Sequence, residues 1–213
     1  MLQPAGDEKR RSARKPKGEG HARRAEILAA AERIFVEHGY EGATIRKIAD
    51  EVGVSSAALY MHFAEKGAIL LEICEAAFEK LRRANTEIVD LPIAPADKVR
   101  RMLEAYIAFG FANPNAYRLI YCTRPDEAGA GAQTVARDSG SQIYDRYRRV
   151  VSDVEAAGGL KAGRDAETVA QTMWAGAHGL VSIIITKPYF EWADRDELVR
   201  AMLDGLCDGL MAR

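Results

Sequence analysis

Cysteine is scarce in this sequence, three residues in 213, and the odd count excludes a fully paired disulfide scaffold. Histidine is nearly as sparse. His21, His38, His62 and His178 lie in separate segments without ligand spacing, and no cysteine pair stands beside them, so no metal site is expected. There is no nucleophile–base set and no glycine-rich phosphate loop. Glu72/Glu75 and Glu191/Asp194 read as solvated acids, so neither catalysis nor a bound cofactor is expected. No apolar run follows the basic start before Ile27, which excludes a secretory signal and points to reduced thiols in a cytoplasm. Long apolar runs are missing too. The longest charge-free stretch, residues 168–186, contains Gln171, His178, Ser182 and two glycines. It reads as a helix buried on nearly all sides rather than a membrane span. Strand-like alternation and internal repeats are also absent.

What is present is an ordinary globular balance, 48% hydrophobic and 29% charged residues, enough for a real core. The net charge of −1 conceals an asymmetry: residues 1–24 sum to +5 and the rest to −6. Residues 1–20, basic and rich in Gly and Pro, read as a flexible arm, either plain disorder or a minor-groove contact.

From His21 onward the periodicity is helical and the predicted fold class is all-α. Ile27, Leu28, Ala31, Ile34 and Phe35 form one face of a helix that Gly39 stops. Thr44 caps a second helix carrying Ile45, Ile48, Ala49 and Val52, which Gly53 ends. Ser55 caps a third that holds Leu59 and Phe63. Further helices are predicted over 65–89, 95–113, 134–157, 165–187 and 194–212, with a short one through Tyr117 and Ile120 and a loop over 125–132.

The second and third helices, joined at Gly53, have the form of a helix-turn-helix. Ile45, Ile48 and Val52 pack the first; Leu59 and Phe63 pack the second and leave Ser56, Ala57, Tyr60 and Met61 facing outward. Small outward side chains let a helix enter the major groove. The stretch TIRKIADEVGVSSAALYMHFAEK, residues 44–66, resembles the DNA-binding signature of the tetracycline-repressor (TetR) family. The matching positions are Thr44, Ile48-Ala49, Val52 through Ser55, Leu59-Tyr60, His62-Phe63 and Lys66. Phe35 through Tyr40 resembles the family's leading helix. Many members have glycine and a hydroxyl residue where this chain has Ala57-Ala58, which leaves fewer groups for base readout.

The resemblance implies a helix-turn-helix domain over 21–66 and a helical ligand-binding and dimerisation domain over 67–213. It also implies roles. Thr44, Tyr60, His62 and Lys66 would contact phosphates, and Arg46 a phosphate or a guanine. Ser55, Ser56, Ala57 and Met61 would meet base edges. The expected function is a sequence-specific regulator, a repressor released from a palindromic operator by a small-molecule effector. The expected partners are double-stranded DNA, that effector and a second copy held through the last two helices, without a membrane. A different class stays open: a helical ligand-binding or enzyme domain whose helix-turn-helix is only structural.

Trp174 through Leu180 resembles a Trp-His-Gly element of one TetR subgroup. Trp174 and His178 are either a packed tryptophan with a satisfied histidine or a pocket wall with a polar anchor, beside closely packed Gly176 and Gly179. Tyr106, Phe109, Tyr117 and Tyr121 form the second candidate pocket lining. Cys74, Cys122 and Cys207 read as small core residues, with Cys122, near Arg118 and Arg124, the candidate if a thiol senses redox state.

Overall fold

The computed structural model describes residues 19–122 and 130–212, with side chains over 21–121 and 137–212. The arm expected over 1–20 therefore lies outside the described residues, apart from a helix start at Glu19. The elements are α1 (Glu19–Gly42), α2 (Ile45–Val52), α3 (Ser56–Tyr60), α4 (Lys66–Val89), α5 (Pro95–Ala112), α6 (Pro114–Tyr117), a π turn (Arg118–Cys122), α7 (Ala130–Ala156), α8 (Ala166–Thr186) and α9 (Arg195–Leu210). No strand occurs among the described residues. One isolated antiparallel bridge joins Leu160 to Met211, flanked by Lys161 N–H donating to the Leu210 carbonyl at 3.1 Å and Ala212 N–H donating to the Gly159 carbonyl at 2.9 Å.

Local chemistry explains the boundaries. Gly39, at φ 69°, takes the left-handed geometry where the periodic stripe ends, and a last turn of α1 follows it. Gly53 at φ 72° closes α2 by returning its N–H to Asp50 and lets the chain turn into α3. Asp165 and Asp194 cap α8 and α9, accepting from the amides of Thr168 and Glu197. Asp194 is thus a cap rather than a merely solvated acid.

The apolar stripe of α1, with Ile27, Ala31 and Phe35, packs on Ile48, Ala49, Leu59 and Phe63 in a core that continues through α4 into the bundle. The long helix α4 runs from the amino-terminal helices into that bundle, burying Ile69, Leu70, Ile73, Phe78 and Leu81, and packs on α1, α5 and α7. At Gly110 α5 lies tight against α8: a Cβ there would stand 2.4 Å from Val181 Cγ1.

Several expectations need correction. The third helix ends at Tyr60, and Phe63 sits in the following turn, where the amides of His62 and Phe63 both close on the Leu59 carbonyl. Residues 130–132 are helical rather than loop, because α7 is stabilised by the burial of Ile143, Tyr147, Val150 and Val154; residues 125–129 lie outside the described residues. Around 118–122 the helix is wound as a π turn, which periodicity did not anticipate.

The charge-free helix α8 is not covered on nearly all sides. It buries Val169, Ala170, Met173, Ala177, Val181 and Ile185, while Thr168, Thr172, Ala175, Gly179 and Ile183 line an open face. By length and composition alone it could cross a membrane, and 33% of its most apolar window is buried in the bundle. Gly176 does serve close packing, since a Cβ would come within 2.9 Å of Leu206, but Gly179 faces open space.

Candidate nucleic-acid interface and aromatic site

The helix-turn-helix presents its outer surface as the sequence predicts. Ile48, Ala49 and Leu59 are buried, whereas Met61 is 86% and Tyr60 54% exposed. Ala57 is exposed and Ser56 half-buried. Two hydroxyls are anchored by capping: Thr44 Oγ1 accepts from Lys47 N–H and Ser55 Oγ from Ala58 N–H, both at 3.1 Å. A capping oxygen is held in place while its own O–H remains available to a phosphate or a base. Arg46 extends into solvent with Nε 3.8 Å from Asp50.

His62 and Lys66 are less free. The His62 carbonyl accepts from Arg24 Nη1 at 2.5 Å. Lys66 Nζ donates to the Tyr40 carbonyl at 2.5 Å and lies 4.0 Å over the Tyr40 ring. Sequence reading missed two cations here. Lys47 Nζ donates to the Gly42 carbonyl at 2.9 Å. Arg24, counted only in the +5 of residues 1–24, pairs with Glu72, so Glu72 is not simply solvated.

In the bundle, the predicted residues Tyr106, Tyr117, Tyr121 and His178 come together from α5, α6, the π turn and α8. Tyr117 OH stands 2.6 Å and Tyr106 OH 3.1 Å from His178 Nδ1, and the two hydroxyls are 2.9 Å apart. The Tyr121 ring lies 4.9 Å from Tyr117 and 5.8 Å from His178, with Phe78 of α4 edge-on at 6.3 Å. Burial pulls His178 below its ordinary pKa and pushes the Tyr121 phenol above its own. A neutral imidazole carrying its proton on Nε2 lets Nδ1 accept from a tyrosine hydroxyl.

Trp174 stays at the edge, 38% exposed, 6.4 Å from His178 and 5.4 Å from Tyr144. Phe109 is buried on the same helix as Tyr106 but has no ring partner among the described residues. Arg118 donates to the Ile185 carbonyl, tying the π turn to α8. Burial pushes the Cys74 thiol up to about 12, which keeps it protonated, and Cys207 is raised by the same cause. The side chain of Cys122 and all of Arg124 lie outside the described residues. Among the described residues no group of His, Cys, Asp and Glu could hold a metal ion.

Comparison with known proteins covers both halves. Residues 27–73 match the family model described as bacterial regulatory proteins, tetR family, and residues 99–206 match a tetracyclin repressor-like C-terminal domain. The second match spans residues 174–180, where the Trp-His-Gly element is expected, and neither match names that subgroup. The HTH-type transcriptional activator FasR of Mycolicibacterium smegmatis is 31% identical over 156 residues, 66% of this chain and 69% of that protein. Among solved structures, the ketosteroid transcriptional regulator KstR2 of Mycobacterium tuberculosis superposes with a TM-score of 0.77 at 20% identity, covering 90% of this chain and 96% of that one. AibR, solved with isovaleryl coenzyme A and operator DNA, gives 0.69 at 18% identity, covering 85% and 96%. These two show the shared fold, and the sequence matches carry the assignment: the chain belongs to the TetR family of bacterial transcriptional regulators, with a helix-turn-helix that binds DNA.

Proposed function

We propose that this chain is a cytoplasmic repressor whose hold on an operator is set by a small molecule seated against Tyr106, Phe109, Tyr117, Tyr121, Trp174 and His178. One observation carries the reading. Tyr117 and Tyr121 lie on α6 and the π turn, and both of these segments also pack against α1 of the DNA-binding half. A ligand that displaced these rings would press directly on the helix supporting α2 and α3. It can weaken operator binding only by its preference for the displaced state; a hundredfold loss requires about 2.8 kcal/mol of preference.

On the DNA side, Thr44, Arg46, Tyr60 and His62 serve phosphates, while Ser55, Ser56, Ala57 and Met61 meet bases. Lys66 reaches a phosphate only by leaving Tyr40. A monomer reads too few base pairs, so two copies must act together on a palindromic site. The open face of α8, with the open glycines Gly179, Gly205 and Gly209, allows two copies to approach closely through α8 and α9.

The test uses a duplex that the wild-type protein selects from random DNA. Isovaleryl coenzyme A, which AibR was solved with, other acyl thioesters and a ketosteroid, after the ketosteroid regulator KstR2, are added in turn. Release by one of them, lost in Tyr117→Phe and His178→Leu while DNA binding persists, is the expected result. An unaltered response in both variants would move the effector site elsewhere. The name of FasR supports a second reading, activation, which transcription from the selected site in the presence and absence of the protein distinguishes.

A further inference from the structure

Arg24 lies just outside the stretch matched by the DNA-binding family model, yet its guanidinium ties three segments together. Nε donates to Glu72 Oε1 at 2.9 Å and Nη2 pairs with Glu72 Oε2, a fork-to-fork arrangement onto α4. Nη1 donates at 2.5 Å to the carbonyl of His62, in the turn that follows α3. The guanidinium carbon stands 4.1 Å over the ring of Phe63, itself buried in the core. Arg24 therefore uses both edges and one face, and it is only part-exposed.

A second tie runs the other way between the same two long helices: Lys66, at the start of α4, reaches back to the Tyr40 carbonyl and ring near the end of α1. The turn carrying residues 61–65 is thus bracketed by cations on both sides. That turn sets the angle at which Tyr60 and Met61 leave the protein surface.

We propose that Arg24 is a positioning residue for DNA binding: through Glu72, His62 and Phe63 it locks the end of α3 and the first turns of α4 onto α1, so that the exposed face of α3 meets the groove at a fixed angle. It does this without touching DNA. A lysine cannot replace it, because a point ammonium cannot hold a carboxylate through two parallel bonds while also reaching a carbonyl and covering a ring.

Two simpler accounts give different results. If Arg24 were one more phosphate contact of a basic amino terminus, its loss would weaken binding to all DNA alike and flatten the slope of log affinity against log salt by about one. If long-range charge were what mattered, removing the negative charge of Glu72 would tighten binding.

The full-length protein is measured on a duplex it selects from random DNA and on a scrambled duplex, across a salt series. Arg24→Ala, Arg24→Lys and Glu72→Gln should each bind the selected duplex about tenfold more weakly, with the salt slope and scrambled-duplex affinity unchanged. The exchange Arg24→Glu with Glu72→Arg should recover part of the loss. Unchanged or tighter binding of the selected duplex by Glu72→Gln would overturn the proposal. So would a flattened salt slope in Arg24→Ala. Should Arg24→Ala fail to fold, as read from its far-ultraviolet dichroism, the near-isosteric Glu72→Gln still decides the matter.

Discussion

The Tyr117 hydroxyl stands 2.6 Å from His178 Nδ1, and their rings stack with centroids 5.6 Å apart. A neutral imidazole with its proton on Nε2 lets Nδ1 accept this hydroxyl, and burial lowers the His178 pKa from 6.5, favouring that neutral form. The unfolded chain therefore takes up this proton before the folded one does. The stabilisation is fully present above about pH 6.5 and is lost as pH falls from there toward the depressed folded value. Thermal melts near pH 7.5 and pH 5.5 should show a larger fall in Tm for the wild type than for His178→Gln. Equal falls would mean that this histidine does not titrate in the window.

Gly110 gives the sharpest packing prediction. An added methyl would meet Val181 Cγ1 at 2.4 Å and Tyr117 Cδ2 at 3.0 Å, both in a filled core. Gly110→Ala should destabilise the fold by about 1–3 kcal/mol, read from its urea midpoint. An unshifted midpoint would show that α5 and α8 can separate without loss.

At the DNA surface, Ala57 is exposed on α3 where a side chain would enter the groove. Ala57→Glu should abolish binding to the selected duplex while leaving the melting temperature within about 2 °C, since surface changes are usually within about 0.5 kcal/mol. A melt and a gel-shift titration of the same preparation test both halves of this claim.

Assembly can be tested on α8. Ile183, 45% exposed on the open face, is the better target than its half-buried neighbour Ile184. Ile183→Asp should sediment as a folded monomer and lose tight operator binding, while the wild type sediments as a dimer burying about 2,000 Å². A wild-type monomer at micromolar concentration would dismiss the two-fold arrangement.

The helices and their caps were legible in the sequence because each depends on nearby residues: Thr44, Ser55 and Gly53 act within a turn of themselves. So was the outer face of the helix-turn-helix, since Leu59 and Phe63 leave only one side for Tyr60 and Met61. The convergence of Tyr106, Tyr117, Tyr121 and His178 was half legible. The sequence offers the tyrosines of 106–121 and the Trp174–His178 pair as separate groups, and only the packing of α5 on α8 brings them together. Arg24 was not legible at all. Its partners, Glu72 and the His62 carbonyl, are far along the chain, and a cation among other cations carries no local sign of what it pairs with. The open face of α8 escaped for the opposite reason, because an uncharged helix looks the same to periodicity whether its own chain or another covers it.

The bridge between Leu160 and Met211 binds the last helix to the loop that opens α8. Its two flanking hydrogen bonds are donated from opposite strands of the pairing, by Lys161 and by Ala212. Neither amide can meet solvent deuterium unless the pairing parts, so both should report one common opening free energy in hydrogen exchange. The residues that end α9 then do not fray alone: an opening there also releases the segment after Gly159, while the turn at Gly158 and Gly159 keeps its own bonds to the Glu155 and Val154 carbonyls.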